Sequence, residues 1–160
     1  MNAEKNSIIL VLVFTCGLIG GCMLFSIIAP EIIPPEKHVI YTDRAPNPIG
    51  PYSQAVGSGD LVFLSGQIGI DPATGNLPAT PEEQTIRIME NLHAVLQASG
   101  LGFGDVVQTR IYLVNMSDWT TVNGIYGSYF NDGYPARATV QVAGLPKGAA
   151  VEIEMVAQKR

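Results

Sequence analysis

The chain has 160 residues, 47% of them hydrophobic and only 14% charged, with a formal net charge of -5; an ordinary soluble domain carries about 25% charged residues. This length holds one domain of about 120 residues with a real core and excludes a multidomain machine or a polytopic transporter. The bases Arg44, Arg87, Arg110, Arg137, Lys147, Lys159 and Arg160 are scattered. With no phosphate-neutralising cluster, no nucleic-acid partner is expected. Both cysteines, Cys16 and Cys22, precede the domain, which excludes a disulfide framework, a thiolate metal site and a Cys nucleophile within it.

The apolar excess is concentrated near the N-terminus. After a short polar tail, residues 1–7, the run IILVLVFTCGLIGGCMLFSIIA at 8–29 carries no charge and is long enough to cross roughly 30 Å of hydrocarbon. It reads as a single-pass transmembrane anchor. A cleaved signal segment remains an alternative, as does a lipoprotein, since Ile19-Gly20-Gly21-Cys22 loosely matches a lipidation box with Cys22 as acceptor. Lys5 stands before the run and Lys37 and Arg44 after it, so positive charge says little about orientation. A short N-terminal tail usually stays in the cytoplasm, which places the domain outside it. Pro30, Pro34 and Pro35 stiffen residues 30–42 into an extended spacer. The domain then occupies residues 43–160.

Within the domain, residues 50–56 lead through the turn-rich Gly57-Ser58-Gly59-Asp60 into LVFLSGQIGI at 61–70, the pattern of a hairpin. Thr80-Pro81-Glu82-Glu83 is a helix start with Thr as N-cap and Pro at N1. Ile88, Leu92, Val95 and Leu96 recur at helical spacing, predicting a helix over 81–99. A strand follows at 106–115 (VVQTRIYLVN), and Ser117-Asp118 can cap a second helix reaching about residue 130. Residues 138–145 and 149–158 have strand character, joined by the tight turn Pro146-Lys147-Gly148. Two helices against one mixed sheet make an α/β sandwich. Its uncovered apolar face would pack against copies of the chain, predicting a homo-oligomer.

The common catalytic motifs are missing: there is no Walker loop, GxGxxG, HExxH or GxSxG, and no metal site is expected. Of the two histidines, His38 lies in the spacer and His93 in the first helix. Arg137 follows Pro135-Ala136 into a strand with no other charge before Leu145. It suits bidentate binding of a carboxylate, or else pairs with a nearby acid. Glu152 and Glu154 are two apart in a strand and so share a face, opposite Val151, Ile153 and Met155. If one of them shares a cleft with Arg137, the carboxylate could position or deprotonate water while the cation holds an acid substrate; otherwise they form a solvated face. Tyr52 and Ser65 place hydroxyls beside apolar stretches, and either could donate to a ligand.

Five motifs occur in order: GPYSQAV at 50–56, LSGQI at 64–68, YPARATV at 134–140, LPKG at 145–148 and VEIEMVA at 151–157. Together they strongly resemble the Rid (YjgF) family of reactive-intermediate deaminases. The resemblance implies a chorismate-mutase-like fold, a homotrimer with active sites between subunits, and hydrolysis of small 2-imino and enamine acids such as 2-aminoacrylate, 2-iminopropanoate and 2-iminobutanoate to 2-keto acids and ammonia, with no cofactor. It implies that Arg137 binds the substrate carboxylate and Glu152 activates water, with Tyr52, Ser65 and Asn123 lining the pocket. Thr139 stands where many members have a cysteine, which puts thiol-dependent side activities in doubt. The anchor is a second departure, since the typical member is soluble. The alternative to a deaminase is a membrane-tethered trimeric module that binds small carboxylates without turnover.

Overall fold

A computed structural model describes residues 35–159. The expected tail, the anchor at 8–29 and most of the Pro-containing spacer lie outside the described residues. Among the described residues no helix is long and apolar enough to cross a membrane.

The elements are β1 (Lys37–Ile40), β2 (Ala55–Ser58), β3 (Leu61–Ile68), α1 (Pro81–Ala98), β4 (Val106–Leu113), α2 (Trp119–Gly127), β5 (Ala136–Gln141) and β6 (Val151–Gln158), with short 3-10 turns at Phe103–Asp105, Met116–Asp118 and Pro146–Gly148. The six strands form one sheet in the order β1-β2-β3-β6-β4-β5. Only β4 and β5 pair in parallel. The β2–β3 hairpin expected from the sequence is present, closed by Gly59-Asp60 with Gly59 at φ 59°. A glycine adopts that left-handed conformation at no steric cost, as two-residue hairpin loops require.

Helix α1 starts as predicted. Thr80 Oγ1 accepts from the Glu83 N–H at 3.2 Å, satisfying one of the free first-turn donors. Its buried stripe of Ile88, Met89, Leu92, Val95 and Leu96 packs with Val62 and Leu64 of β3, Ile111 and Leu113 of β4, and Val151, Ile153 and Met155 of β6. Helix α2 joins this layer through Val122 and Tyr126. Both helices therefore cover one sheet face, and the alternation along each central strand sends every second side chain to the other.

Three expectations change in detail. The spacer is not merely a linker, because its residues 37–40 form β1, paired antiparallel with β2. The second helix is shorter than expected and ends at Gly127; its approach is capped by Asn115, whose Oδ1 accepts from Ser117 N, while Asp118 makes no side-chain cap. The strands expected on either side of Pro146-Lys147-Gly148 are not partners. β5 ends at Gln141, and the connection crosses the end of β4, where Val142 N donates to Leu113 O and Val114 N to Ala150 O. The physical reason is burial: β6 has Val151, Ile153, Met155 and Ala157 all nearly solvent-free, which demands a central position, whereas exposed β5 suits an edge.

On the uncovered face, register aligns Val39, Val56, Phe63 and Val156 in one row across β1, β2, β3 and β6. Val39 is 62% and Phe63 46% exposed. Beside this row, across the β4–β6 pair, Glu154 faces Arg110 and Glu152 faces Tyr112.

Candidate active site

The candidate residues fall into two clefts. The first, about 190 Å³, opens on the uncovered face at β3 and β6, and Tyr52, Ser65, Gly66, Pro146 and Glu152 line it. Its geometry begins with an irregularity, since the β3–β6 register shifts between Leu64 and Gln67. Gly66 lies inside that bulge, and a Cβ there would collide with Glu152 Oε1. A glycine inside a strand often marks such a close approach, so LSGQI carried a readable signal for this contact.

Glu152 is half-buried and, among the described residues, has no cation within ion-pair distance. Burial raises its carboxyl above the ordinary 4.5, and the nearby Glu154 charge adds to the rise. Glu154 itself is ion-paired with Arg110. The two glutamates that look equivalent in sequence are thus distinct. Glu152 stands unpaired in a cleft among the described residues, and Glu154 is ion-paired beside it.

The hydroxyls differ as well. Tyr52 accepts from Ile49 N at 3.2 Å, which leaves its own proton to donate outward. Ser65 Oγ donates to Ser53 O at 2.7 Å. The expectation that Ser65 could donate to a ligand is therefore corrected: its proton is committed, and it offers acceptor capacity. Gln54, which sequence reasoning passed over, holds this corner together. Its buried amide accepts from Thr42 N at 2.7 Å and donates to Thr42 O, Ala45 O and Pro46 O. Its only sequence signal was its place in GPYSQAV, directly after Tyr52 and Ser53.

The second cleft, about 690 Å³, lies beside α2 on the helix-covered side, with Asn123, Tyr126, Tyr134 and Arg137 on its walls. Arg137 Nη2 donates to Asn123 Oδ1 at 2.7 Å, and the guanidinium carbon lies 4.8 Å from the Tyr126 ring centroid. Asn123 and Tyr126 are three apart on α2 and so present one face to the arginine. Tyr126 is fixed in turn, since its hydroxyl donates to buried Thr109 at 3.1 Å. Arg137 has no carboxylate partner among the described residues. Of the two readings its position allowed, pairing with an acid is set aside. A guanidinium so oriented, with N–H groups unpaired among the described residues, has the geometry to accept a carboxylate.

Arg137 and Glu152 do not share a cleft within one chain. Arg137 stands in register with Thr109, on the helix-covered side, whereas Glu152 alternates with buried Val151 and Ile153 and faces the other way. Strand β4 separates β5 from β6. Thr139, two residues after Arg137, lies on the Arg137 side, opposite Ile111. His93 lines neither cleft and stacks on Phe103 at 5.4 Å between ring centroids.

The family model described as endoribonuclease L-PSP matches residues 42–159. A 2-iminobutanoate/2-iminopropanoate deaminase of Mus musculus is 47% identical over 122 residues, spanning 76% of this chain and 90% of the mouse protein. A RutC family protein of Saccharolobus solfataricus is 47% identical over 124 residues, 77% of this chain and 98% of the relative. The crystal structure of Escherichia coli TdcF with bound serine superposes with a TM-score of 0.75 at 40% identity, covering 77% of this chain and 99% of that one. Such relatives consist almost wholly of the part that here carries the sheet and both helices, and that part lies within one compact unit, 36–160. The architecture and the ordered motifs agree with these matches, and the chain belongs to the Rid (YjgF) family, the one described by the endoribonuclease L-PSP model.

Proposed function

We propose that the chain hydrolyses small 2-imino acids and their enamine tautomers to 2-keto acids and ammonia. The observation that carries this reading is the pair of complementary half-sites. Among the described residues, one offers an oriented guanidinium with no acid partner, the other a half-buried carboxylate with no cation partner. Neither half is a site for an imino acid alone. A second copy of the chain, set against the uncovered face, would bring Arg137 of one copy to Glu152 of the next. The exposed Val39 and Phe63 row gives that face an apolar surface to bury, and a homotrimer is the assembly the family resemblance implies.

In this arrangement Arg137 holds the substrate carboxylate, and Asn123 fixes the guanidinium plane. Tyr52 can donate to the substrate and Ser65 can accept from it. The imine carbon is already electrophilic, so the protein chiefly has to orient the acid and supply a positioned water. Glu152 takes a proton from water as the water oxygen bonds to C2 of the protonated imine, and passes it to the amine nitrogen of the resulting carbinolamine. It then accepts the carbinolamine hydroxyl proton as C2=O forms, the C–N bond breaks and ammonia departs, leaving the 2-keto acid; the proton on Glu152 passes to solvent. A carboxylate whose proton affinity burial has raised is a better base than a fully solvated one. No cofactor enters this scheme.

The test is to mix residues 36–160 with an amino-acid oxidase that generates 2-iminopropanoate, trapping the imine with semicarbazide. Faster hydrolysis lowers the yield of trapped product. An unchanged yield overturns the deaminase reading, and affinity for 2-oxobutanoate without turnover would instead establish the tethered binding module.

We propose in addition that residues 8–29 tether this domain to a membrane as a single-pass anchor, with the domain on the extracytoplasmic side. The length and uncharged character of the run support the anchor. The mass of the mature N-terminus separates a retained Met1 from a lipid on Cys22 or from cleavage. Digestion of the domain by protease added to intact cells tests the orientation, and protection would reverse it.

A further inference from the structure

We infer that Arg110 is a positioning residue for the candidate base: by holding the Glu154 carboxylate, it limits how far that negative charge bears on Glu152. The inference rests on Glu152 being the base proposed above, and the geometry behind it is independent of that role. Strand β6 sets the two glutamates on one face, with backbone positions roughly 7 Å apart. The β4–β6 register puts Arg110 opposite Glu154 and Tyr112 opposite Glu152. Arg110 Nη1 is ion-paired with Glu154 Oε1. On its other side Arg110 faces Ala138 of β5, which offers no competing acid.

Within one chain, the groups around Glu152 leave few other electrostatic influences, and Arg137 of a neighbouring copy acts equally on parent and variants. Strand β3 contributes Ser65 and Gly66, the loop before β2 contributes Tyr52, and the turn before β6 contributes Pro146, none of them an Asp, Glu, Lys, Arg or His, with Lys147 next in that turn. From β4 comes Tyr112, whose own ionisation burial and Glu154 oppose. Glu154 is thus the neighbouring anion, and it adds to the burial that already raises the Glu152 carboxyl. Exposed ion pairs contribute little to stability, so within one chain the pair's consequence should be electrostatic rather than structural. Covering this face with a second copy would lower the local dielectric and strengthen the coupling.

Titration of the Glu152 carboxyl in residues 36–160 by carbon-13 NMR, identified by its loss in Glu152→Gln, tests the inference without needing turnover. In Arg110→Gln the Glu152 midpoint should rise by about half a unit to nearly two units, the span a bare charge at roughly 7 Å gives between bulk water and a protein surface. In Glu154→Gln it should fall, and the double variant should lie near Glu154→Gln rather than Arg110→Gln. In variants whose oligomer mass matches the parent, the acid limb of kcat/KM should move with the midpoint. An unchanged Glu152 midpoint in Arg110→Gln overturns the inference. If that variant does not fold, an unchanged midpoint in Glu154→Gln does so. Absence of imine hydrolysis by the parent protein would defeat the deaminase reading alone, because the titration still decides what Arg110 does.

Discussion

The Arg137 cleft and the Glu152 cleft lie on opposite faces of one sheet and handle charge differently. Arg137 is exposed and, among the described residues, is held by a hydrogen bond to Asn123 and by the Tyr126 ring, with no acid partner. Glu152 is half-buried against Gly66, and desolvation raises its carboxyl. A receptor for a carboxylate needs orientation and can stay hydrated until its ligand arrives. A base gains strength by losing water. The two requirements are easier to meet in separate environments than in one, and a site shared between copies allows both.

The largest expected effect tests the base. Glu152→Gln should lower kcat by roughly 10²–10⁴-fold, with KM little changed. The same variant has a stability signature. The folded carboxyl titrates above its ordinary 4.5, so the native state binds the proton more tightly than the unfolded chain does. Stability contributed by protonated Glu152 is lost as pH rises from about 4.5 through the raised value. Glu152→Gln should therefore match or exceed the parent in Tm at pH 7, with the difference closing at and below about pH 4.5; a lower Tm at pH 7 would contradict the raised value.

Arg137→Ala should come next, reducing kcat/KM by roughly a hundredfold or more as charge-assisted bonds worth about 3 kcal/mol are lost. The fold should be spared, because the side chain is exposed. Coexpression of Arg137→Ala with Glu152→Gln then separates a shared site from a single-chain one. If each site takes its arginine from one copy and its glutamate from the next, a random mixture restores up to about a quarter of the sites. No recovery in mixed oligomers would place both groups in one chain's site.

Gly66→Ala probes the seat of the carboxylate. The added methyl meets the far end of the flexible Glu152 side chain, so the carboxylate should swing aside at small cost in Tm while kcat falls about tenfold. The smallest effect should come from Thr80→Ala. Loss of the α1 cap should cost about 1 kcal/mol, measured by denaturant unfolding, and leave kcat unchanged, since Thr80 lines neither cleft. A change in kcat there would mean that α1 communicates with the site.

Helix α1 was legible in the sequence because its determinants are local: a Thr cap, Pro at the first position and apolar residues at helical spacing. The β2–β3 hairpin was legible for the same reason, through the glycine its two-residue turn requires. Strand β1 was not, since prolines upstream made its segment look like a linker and only pairing with β2 makes it a strand. The exchange of partners between β5 and β6 was equally hidden. Both segments have strand composition, and competition for the buried centre of the sheet decides which lies inside.

The site divides along the same line. Arg137, Asn123, Tyr52, Ser65 and Glu152 could be named from ordered motifs, because residue type and position in a motif are properties of the chain. Their distribution over two faces could not, nor could the different fates of Glu152 and Glu154. Strand periodicity places both glutamates on one side, but a cross-strand arginine and a glycine bulge, brought from β4 and β3, decide which is neutralised and which stays available. Sequence determined the chemical groups and the local elements because those depend on neighbours along the chain. Tertiary structure decided partners, faces and proton affinities, because those depend on neighbours across the sheet.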